Sequence, residues 1–171
     1  MTGDIMVEIK RLDKSHHKAF KDINNIIRQN LTNSTWFMPF SEENLGNTFD
    51  EKSSLVIYGA FVDGVLAAVS LIDTNEDEFN ELAVKLGVKN LKGAELGGSM
   101  VLPEYRGKNL MYKINAELID YAKKASFEYL VATAHPDNIA SNSSLKKLNM
   151  EYKIKVIRTG GYERNVYIMY L

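Results

Sequence analysis

Residues 94–114 read AELGGSMVLPEYRGKNLMYKI and contain a strand that leads directly into a helix. The apolar positions of residues 94–102 predict the strand, yet it contains Gly97 and Gly98. Glycine weakens a strand, and it usually marks a bulge or the close approach of another backbone or a ligand. The segment therefore predicts a strand that is distorted near its centre.

The turn after this strand has the properties of an anion site. Arg106, Gly107 and Lys108 follow Pro103 and open a long helix, which we predict over residues 106–124. The first N–H groups of a helix lack intrahelical partners and its dipole favours negative charge there, so a phosphate or pyrophosphate fits this position. The alternative interpretation is that Gly107 only starts the helix and that both basic side chains are solvated.

The rest of the chain alternates strands and helices around this segment. Asp63 and Gly64 predict a tight hairpin turn between two β-rich runs. The order of elements predicts one α+β domain over residues 1–171, with a mixed sheet of about seven strands and a right-handed β-α-β unit in its second half. The further strands are predicted at residues 6–12, 54–62, 65–73, 127–133, 151–158 and 162–171, and the further helices at 15–30, 41–49, 75–86 and 138–148.

Composition excludes several classes of protein. The 171 residues hold 21 Lys and Arg against 22 Asp and Glu, so no basic field favours nucleic acid. There is no Cys, and two of the three His are adjacent, so no metal-ligand spacing is present. No apolar run reaches the ~18 residues of a membrane span, and the N-terminal MTGDIMVEIKRL lacks a signal-peptide hydrophobic region. We expect a cytoplasmic monomer or homodimer without nucleic-acid, membrane or metal partners.

Two blocks of sequence carry a family resemblance. In the first, Val101 and Pro103 end a strand, and Arg106 and Gly107 begin the loop. The second is HPDNIASNSSLKKLNM at residues 135–150, in which Asn and Ser open a helix that ends in Lys-Leu-Asn-Met. At this separation the blocks resemble the acyl-CoA signature and the following motif of the GCN5-related N-acetyltransferase (GNAT) family. The order of elements extends the resemblance over nearly the whole chain.

The chain departs from the family pattern at three positions. Asn109 replaces the first glycine of the signature and Met111 replaces its second small residue. After Gly, Asn is among the side chains that best tolerate a left-handed backbone, so Asn109 is the milder change. Leu145 occupies the position of the family's thiol-protonating tyrosine. These departures keep a second hypothesis open, a degenerate relative that binds or senses acyl-CoA without turnover.

The resemblance implies that acetyl-CoA is the donor substrate. In the family, the fourth and fifth strands of the sheet are parallel and splay apart, and the pantetheine arm lies in the gap. The diphosphate rests on the loop after the fourth strand. The residues so implied in acetyl-CoA binding are Ser99, Met100, Val101, Arg106, Gly107, Lys108, Asn109, Leu110, Met111, Asn138 and Ser141.

The implied reaction is direct attack of the primary amine of a small molecule on the acetyl carbonyl. Such an amine is mostly protonated at pH 7, so a base must take a proton. Glu95 is the predicted base, at a position where some relatives carry glutamate; the alternative is a solvated strand carboxylate. Ser141, Tyr152 and Tyr162 are candidates for the hydroxyl that protonates the leaving thiol, unless the thiolate leaves unassisted.

The resemblance also implies where the acceptor binds. In such folds the first two helices, the loop between them and the terminal hairpin supply its contacts. Trp36 and Phe37 are candidates for a wall against the amine, and Tyr162 and Arg164 are candidates for contacts to a substrate carboxylate. The alternatives are a packed loop and a solvated arginine. The sequence does not rank the classes of acceptor.

Overall fold

The computed structural model describes residues 5–171, which form one seven-stranded sheet with helices on both faces. The sheet order is β1-β2-β3-β4-β5-β7-β6, and β4–β5 is its parallel pair. This confirms the predicted mixed, mostly antiparallel sheet. The strands are β1 (Val7–Arg11), β2 (Leu55–Val62), β3 (Val65–Asp73), β4 (Gly93–Val101), β5 (Tyr129–Ala134), β6 (Glu151–Arg158) and β7 (Tyr162–Tyr170). The helices are α1 (His17–Gln29), α2 (Glu42–Asn47), α3 (Glu76–Lys85), α4 (Leu110–Lys124) and α5 (Ile139–Lys147).

The local signals in the sequence account for most element boundaries. Asp63 and Gly64 have φ angles of 48° and 83°, as a two-residue turn between β2 and β3 requires. Ser41, Asn75 and Asn138 cap α2, α3 and α5 through their side-chain oxygens. The N-terminal stretch expected to lack a signal peptide begins with residues 1–4, which lie outside the described residues.

The predicted start of α4 is wrong by four residues. The helix was expected from residue 106 but begins at Leu110. Gly107 and Asn109 have φ angles of 74° and 60°, so the backbone of the preceding loop is left-handed at both positions and cannot be helical. Asn109 thus adopts the conformation that its side chain was expected to tolerate.

Successive side chains of a strand point to opposite faces of the sheet, so neighbouring residues pack against different helices. On one face, Leu96 and Leu130 pack with Ile114 and Leu118 of α4. On the other face, α1 packs against β2 and β3 in one cluster, and α3 packs against β5 and β7 in a second cluster. Glu95 precedes Leu96, so it faces the side of α1 and α3.

Candidate active site

The parallel strands β4 and β5 separate half-way along β4. They pair from Gly93 with Tyr129 to Leu96 with Ala132, and no further pairs form beyond that point. From Gly97 to Val101, β4 continues to pair with β3 alone. One edge of this half of β4 therefore has no strand partner among residues 5–171, and this confirms the expected splay.

A bulge in β4 lies at the point of separation. Leu71 pairs with Gly97 and Val69 with Met100, so Ser70 alone stands opposite the two residues Gly98 and Ser99. Gly98 has a φ of 60°, and a Cβ atom there would lie 2.7 Å from Cδ2 of Leu71. Both constraints favour glycine, which agrees with the distortion expected from the glycine pair.

The bulge and the strand ladder decide which amides of β4 face the gap. The N–H of Leu102 donates to Ala67 O on β3 at 2.9 Å. Successive N–H groups of a strand point to opposite edges, so the N–H of Val101 faces the gap and that of Met100 faces β3. Val101 therefore suits the role expected of it. The expectation that Met100 offers a free N–H is wrong, because its N–H faces the β3 ladder.

The gap opens into a cavity of about 820 Å³, which we call the large cavity. Its walls are the splayed half of β4, the loop before α4, the first turns of α4 and α5, and the end of α1. The structure brings all of the residues implied in acetyl-CoA binding to these walls: Ser99, Met100, Val101, Arg106, Gly107, Lys108, Asn109, Leu110, Met111, Asn138 and Ser141.

The loop before α4 presents unpaired amides to the large cavity. Within residues 5–171, the N–H groups of Gly107, Lys108 and Asn109 donate to no protein acceptor, and no side chain caps α4. The first N–H groups of α4 are free by helix geometry. Lys147 adds a cation, since its Nζ donates to Oδ1 of Asn109 at 2.8 Å. This set of donors and cations fits a diphosphate.

A smaller cavity of about 270 Å³, which we call the small pocket, adjoins the large cavity. Trp36 and Phe37 line both, so the two cavities meet at these side chains. The Nε1 atom of Trp36 is buried and has no hydrogen-bond partner in the described part of the chain. Glu95 and Arg164 also line the small pocket, together with Met38, Phe40, Leu55, Leu71, Asp73, Leu96, Gly97, Gly98 and Thr133.

Glu95 is a buried, ion-paired carboxylate of the small pocket. Its side chain is 16% exposed, and its Oε1 accepts a hydrogen bond from Nη1 of Arg158 at 2.6 Å. Burial raises the pKa of Glu95, the charge and hydrogen bond of Arg158 lower it, and the net direction is upward. Arg158 is anchored in turn, because its Nη2 donates to Glu78 O at 2.9 Å.

The structure separates the candidate hydroxyls. Ser141 lines the large cavity. Tyr152 and Tyr162 line neither cavity: Tyr152 lies on β6 and packs its ring against Tyr167, and Tyr162 lies beneath the guanidinium of Arg164. Leu145 is buried in the core of the α4 face. Of the hydroxyls proposed for the leaving thiol, only Ser141 is beside the expected position of the donor substrate.

Two charged residues in and beside the small pocket were not predicted from the sequence. Arg158 meets Glu95 across 63 positions of sequence, and no local pattern connects them. Asp73 ends β3 opposite Glu95 and its Oδ1 accepts hydrogen bonds from Ser54 and Asn75. The hairpin that contains Asp73 was predicted, but the pairing of β3 with β4 that brings Asp73 opposite Glu95 was not, because a bulge shifts its register.

Comparison with known proteins agrees with this architecture. The model of the acetyltransferase (GNAT) family matches residues 21–150, and the chain belongs to that family. No curated protein matches the chain by sequence. None of the helices formed by residues 5–171 combines the length and hydrophobicity that a bilayer span requires.

Solved structures from distant organisms share the fold. An N-acetyltransferase from Staphylococcus aureus Mu50 superposes with a TM-score of 0.73 at 13% identity, over 96% of this chain and 97% of that one. The ribosomal-protein-S18-alanine N-acetyltransferase of Escherichia coli gives 0.69 at 18%, over 96% and 94%. Arabidopsis thaliana NAA60 in complex with acetyl-CoA gives 0.72 at 11%, over 97% and 99%.

Proposed function

We propose that the protein is an N-acetyltransferase that transfers the acetyl group of acetyl-CoA to a primary amine of a small molecule. The observation that carries the proposal is the open gap between β4 and β5, with unpaired amides along the large cavity and Glu95 in the adjoining small pocket. All seven strands join one sheet, which supports a single catalytic domain.

The donor is acetyl-CoA, and the walls of the large cavity suit its parts. The amides of Gly107, Lys108 and Asn109 would hold the diphosphate, with Arg106 and Lys147 as cations beside them. The N–H of Val101 would bond the arm in the gap. When bound, acetyl-CoA supplies an acetyl thioester, whose carbonyl carbon the amine attacks and whose thiolate leaves.

Glu95 would act as the base that takes a proton from the acceptor amine. Its burial and its raised pKa suit proton transfer near neutral pH better than an ordinary glutamate does. The Arg158 guanidinium keeps the carboxylate oriented and favours its ionised form, which is the form able to accept a proton. The hydroxyl of Ser141, in the wall of the large cavity, would supply the proton for the leaving sulfur.

The size of the small pocket favours a small acceptor. Its volume of about 270 Å³ lies below the roughly 300–1,000 Å³ of sites that hold drug-sized ligands. The E. coli structure named above belongs to an enzyme whose substrate is a ribosomal protein, so the fold alone does not select the acceptor. The proposal of a small-molecule amine is supported by the position of Glu95 in a pocket of this small size.

Calorimetric titration with acetyl-CoA, followed by CoA thiol release with a panel of small amines, tests the proposal. We expect binding, and thiol release with at least one amine. Glu95→Gln should lower kcat about 100-fold, the usual size of a general-base contribution, and leave acetyl-CoA affinity unchanged. Glu163→Gln, which alters an exposed carboxylate on β7, is the matched control and should retain full activity.

Two results would contradict the enzyme proposal. No binding heat at millimolar acetyl-CoA would exclude the donor assigned to the large cavity. Binding without thiol release across the panel would instead favour the acyl-CoA sensor, for which the buried Leu145 in place of a tyrosine is the supporting observation.

A further inference from the structure

Arg164 occupies the small pocket without an anionic partner. Its residue is only 9% exposed, yet no carboxylate of residues 5–171 lies within salt-bridge distance of it. Its recorded hydrogen bond runs from Nη1 to the backbone oxygen of Glu163, at 2.7 Å. A buried charge without a counter-ion is costly, because one backbone carbonyl and the face of the Tyr162 ring replace only part of the hydration that burial removes.

The surroundings of Arg164 increase that cost. Burial, and next the nearby Arg158, lower the pKa of Arg164 below its usual range. Arginine nevertheless stays protonated in proteins, so the pocket holds a persistent positive charge. The charge of Arg158 is already matched by Glu95. The ligand group that best complements Arg164 is therefore an anion.

The position of Arg164 identifies which substrate brings that anion. Arg164 lines the small pocket and not the large cavity, whereas Arg106, Lys108 and Lys147 line the large cavity. The phosphates of the donor therefore have their own cations, which line the large cavity and not the small pocket. The anion that meets Arg164 thus belongs to the acceptor.

We infer that the acceptor is a small amino acid-like molecule, in which Arg164 binds the carboxylate while the amine meets the acidic side of the small pocket at Glu95 and Asp73. This inference rests on the proposed function and specifies its acceptor. The guanidinium presents paired N–H donors that match a carboxylate.

The charges of the pocket favour a carboxylate over a phosphate. Asp73 contributes a second negative charge, and its Oδ2 accepts no hydrogen bond from the described residues. Asp73 and Arg164 are then the opposite charges left unmatched, and a zwitterion with one ammonium and one carboxylate complements both. A phosphate dianion would exceed the single free positive charge and would face the carboxylates of Asp73 and Glu95.

Matched pairs of acceptors test this inference. Each pair joins an amino acid to the amine that lacks only its carboxylate, such as phenylalanine with phenethylamine, 4-aminobutyrate with propylamine, and methionine with 3-(methylthio)propylamine. Thiol release from acetyl-CoA gives kcat/KM for each. We expect the carboxylated member of the preferred pair to be favoured at least about tenfold, the scale of one charge-assisted hydrogen bond.

Variants of Arg164 test whether this side chain causes the preference for the carboxylated acceptor. Arg164→Gln should raise KM for the carboxylated member, so that the ratio of the two kcat/KM values within each pair falls to about one. Arg164→Lys should restore part of the preference. Lys155→Gln, which alters an exposed cation on β6, should change neither value. Acetyl-CoA affinity, measured by calorimetry, reports whether each variant is folded.

The outcomes separate the inference from the proposed function. Equal or faster acetylation of the amines without a carboxylate overturns the inference and leaves the transferase proposal standing. The same holds if Arg164→Gln keeps the preference. If wild-type enzyme acetylates only peptide N-termini, the inference and the small-molecule acceptor of the proposed function both fail, and acetyl transfer from acetyl-CoA alone stands. If acetyl-CoA binds and no amine of any kind is acetylated, the proposed function and the inference both fail.

Discussion

Two opposed effects act on Glu95. Burial favours its neutral form, and the hydrogen-bonded guanidinium of Arg158 favours the carboxylate. A base for amine acetylation needs both features, because it must be ionised before the reaction and must accept a proton during it. The ion pair is therefore a means of setting the basicity of Glu95 and of holding it toward the small pocket.

Removing Arg158 should move the acid limb of the pH profile. Lowering the pH protonates Glu95, which then cannot accept a proton, so kcat/KM falls on the acid side. Arg158→Met removes the charge that favours ionised Glu95, so its pKa rises further and activity is lost at a higher pH than in wild type. The measurement is kcat/KM from about pH 5 to pH 8, with acetyl-CoA saturating.

The design of this experiment isolates Glu95. The acceptor amine titrates identically in both enzymes, so the difference between the two profiles belongs to the protein. Lys155→Met, on the same strand but exposed, should leave the limb in place. An acid limb unmoved in Arg158→Met would show that Glu95 does not set it.

At the scale of elements, the bulge in β4 turns a strand into a binding edge. The register slips by one residue opposite Ser70, whose Oγ contacts the carbonyl of Gly97 and the hydroxyl of Ser99. Those contacts satisfy polar groups that the interrupted ladder leaves free. Ser70 of β3 therefore stabilises the bulge through these contacts, while the other edge of β4 stays open toward the large cavity.

Gly98→Ala should destabilise the fold. The added Cβ meets a left-handed φ of 60° and the side chain of Leu71 at 2.7 Å, for a combined cost of about 1–3 kcal/mol. Gly97→Ala is the matched control, because a Cβ there meets nothing within 4 Å and its φ is not left-handed. Urea unfolding at equilibrium measures both. Equal free energies of unfolding for the two variants would refute the role of the bulge.

The loop before α4 depends on Asn109 because, like the bulge at Gly98, it contains a residue with a left-handed backbone. A β-branched residue at its φ of 60° costs about 1–2 kcal/mol. Asn109→Val should therefore weaken acetyl-CoA binding about tenfold by disordering the amides that would face the diphosphate. Asn109→Gly keeps the backbone conformation and should bind within a few fold of wild type, although it loses the contact to Lys147. Calorimetry distinguishes them, and equal affinities would contradict the assignment of this loop.

Across the whole molecule, local signals predicted the elements but not the contacts between distant residues. The strand–loop–helix of residues 94–114 and the Asp63–Gly64 turn predicted the strands of the sheet and the segments that line the large cavity. They could do so because turn and cap preferences are local. The predicted start of α4 was wrong because the helix was extended back over the basic turn of residues 106–109. Its periodic apolar positions begin only at Leu110, and the backbone is left-handed at Gly107 and Asn109. The pair of Glu95 with Arg158, and the isolation of Arg164, depend on the packing of β6 and β7 beside α3, which no local pattern encodes.

Because the large cavity draws on β4, α1, α4 and α5 together, acetyl-CoA should stabilise the chain as a unit. A ligand at 100 times its Kd adds about 2.7 kcal/mol to the free energy of unfolding, which raises Tm by roughly 5–10 °C for a chain of this size. Differential scanning calorimetry with increasing acetyl-CoA measures the shift. The double variant Arg106→Gln with Lys108→Gln should need several-fold more acetyl-CoA than wild type for the same shift in Tm. Added salt should narrow this difference between variant and wild type, because salt screens the attraction between these cations and the diphosphate. The exposed pair Lys18→Gln with Lys85→Gln removes the same charge far from the cavity and should match wild type. A Tm independent of acetyl-CoA would mean that these elements do not form one binding site.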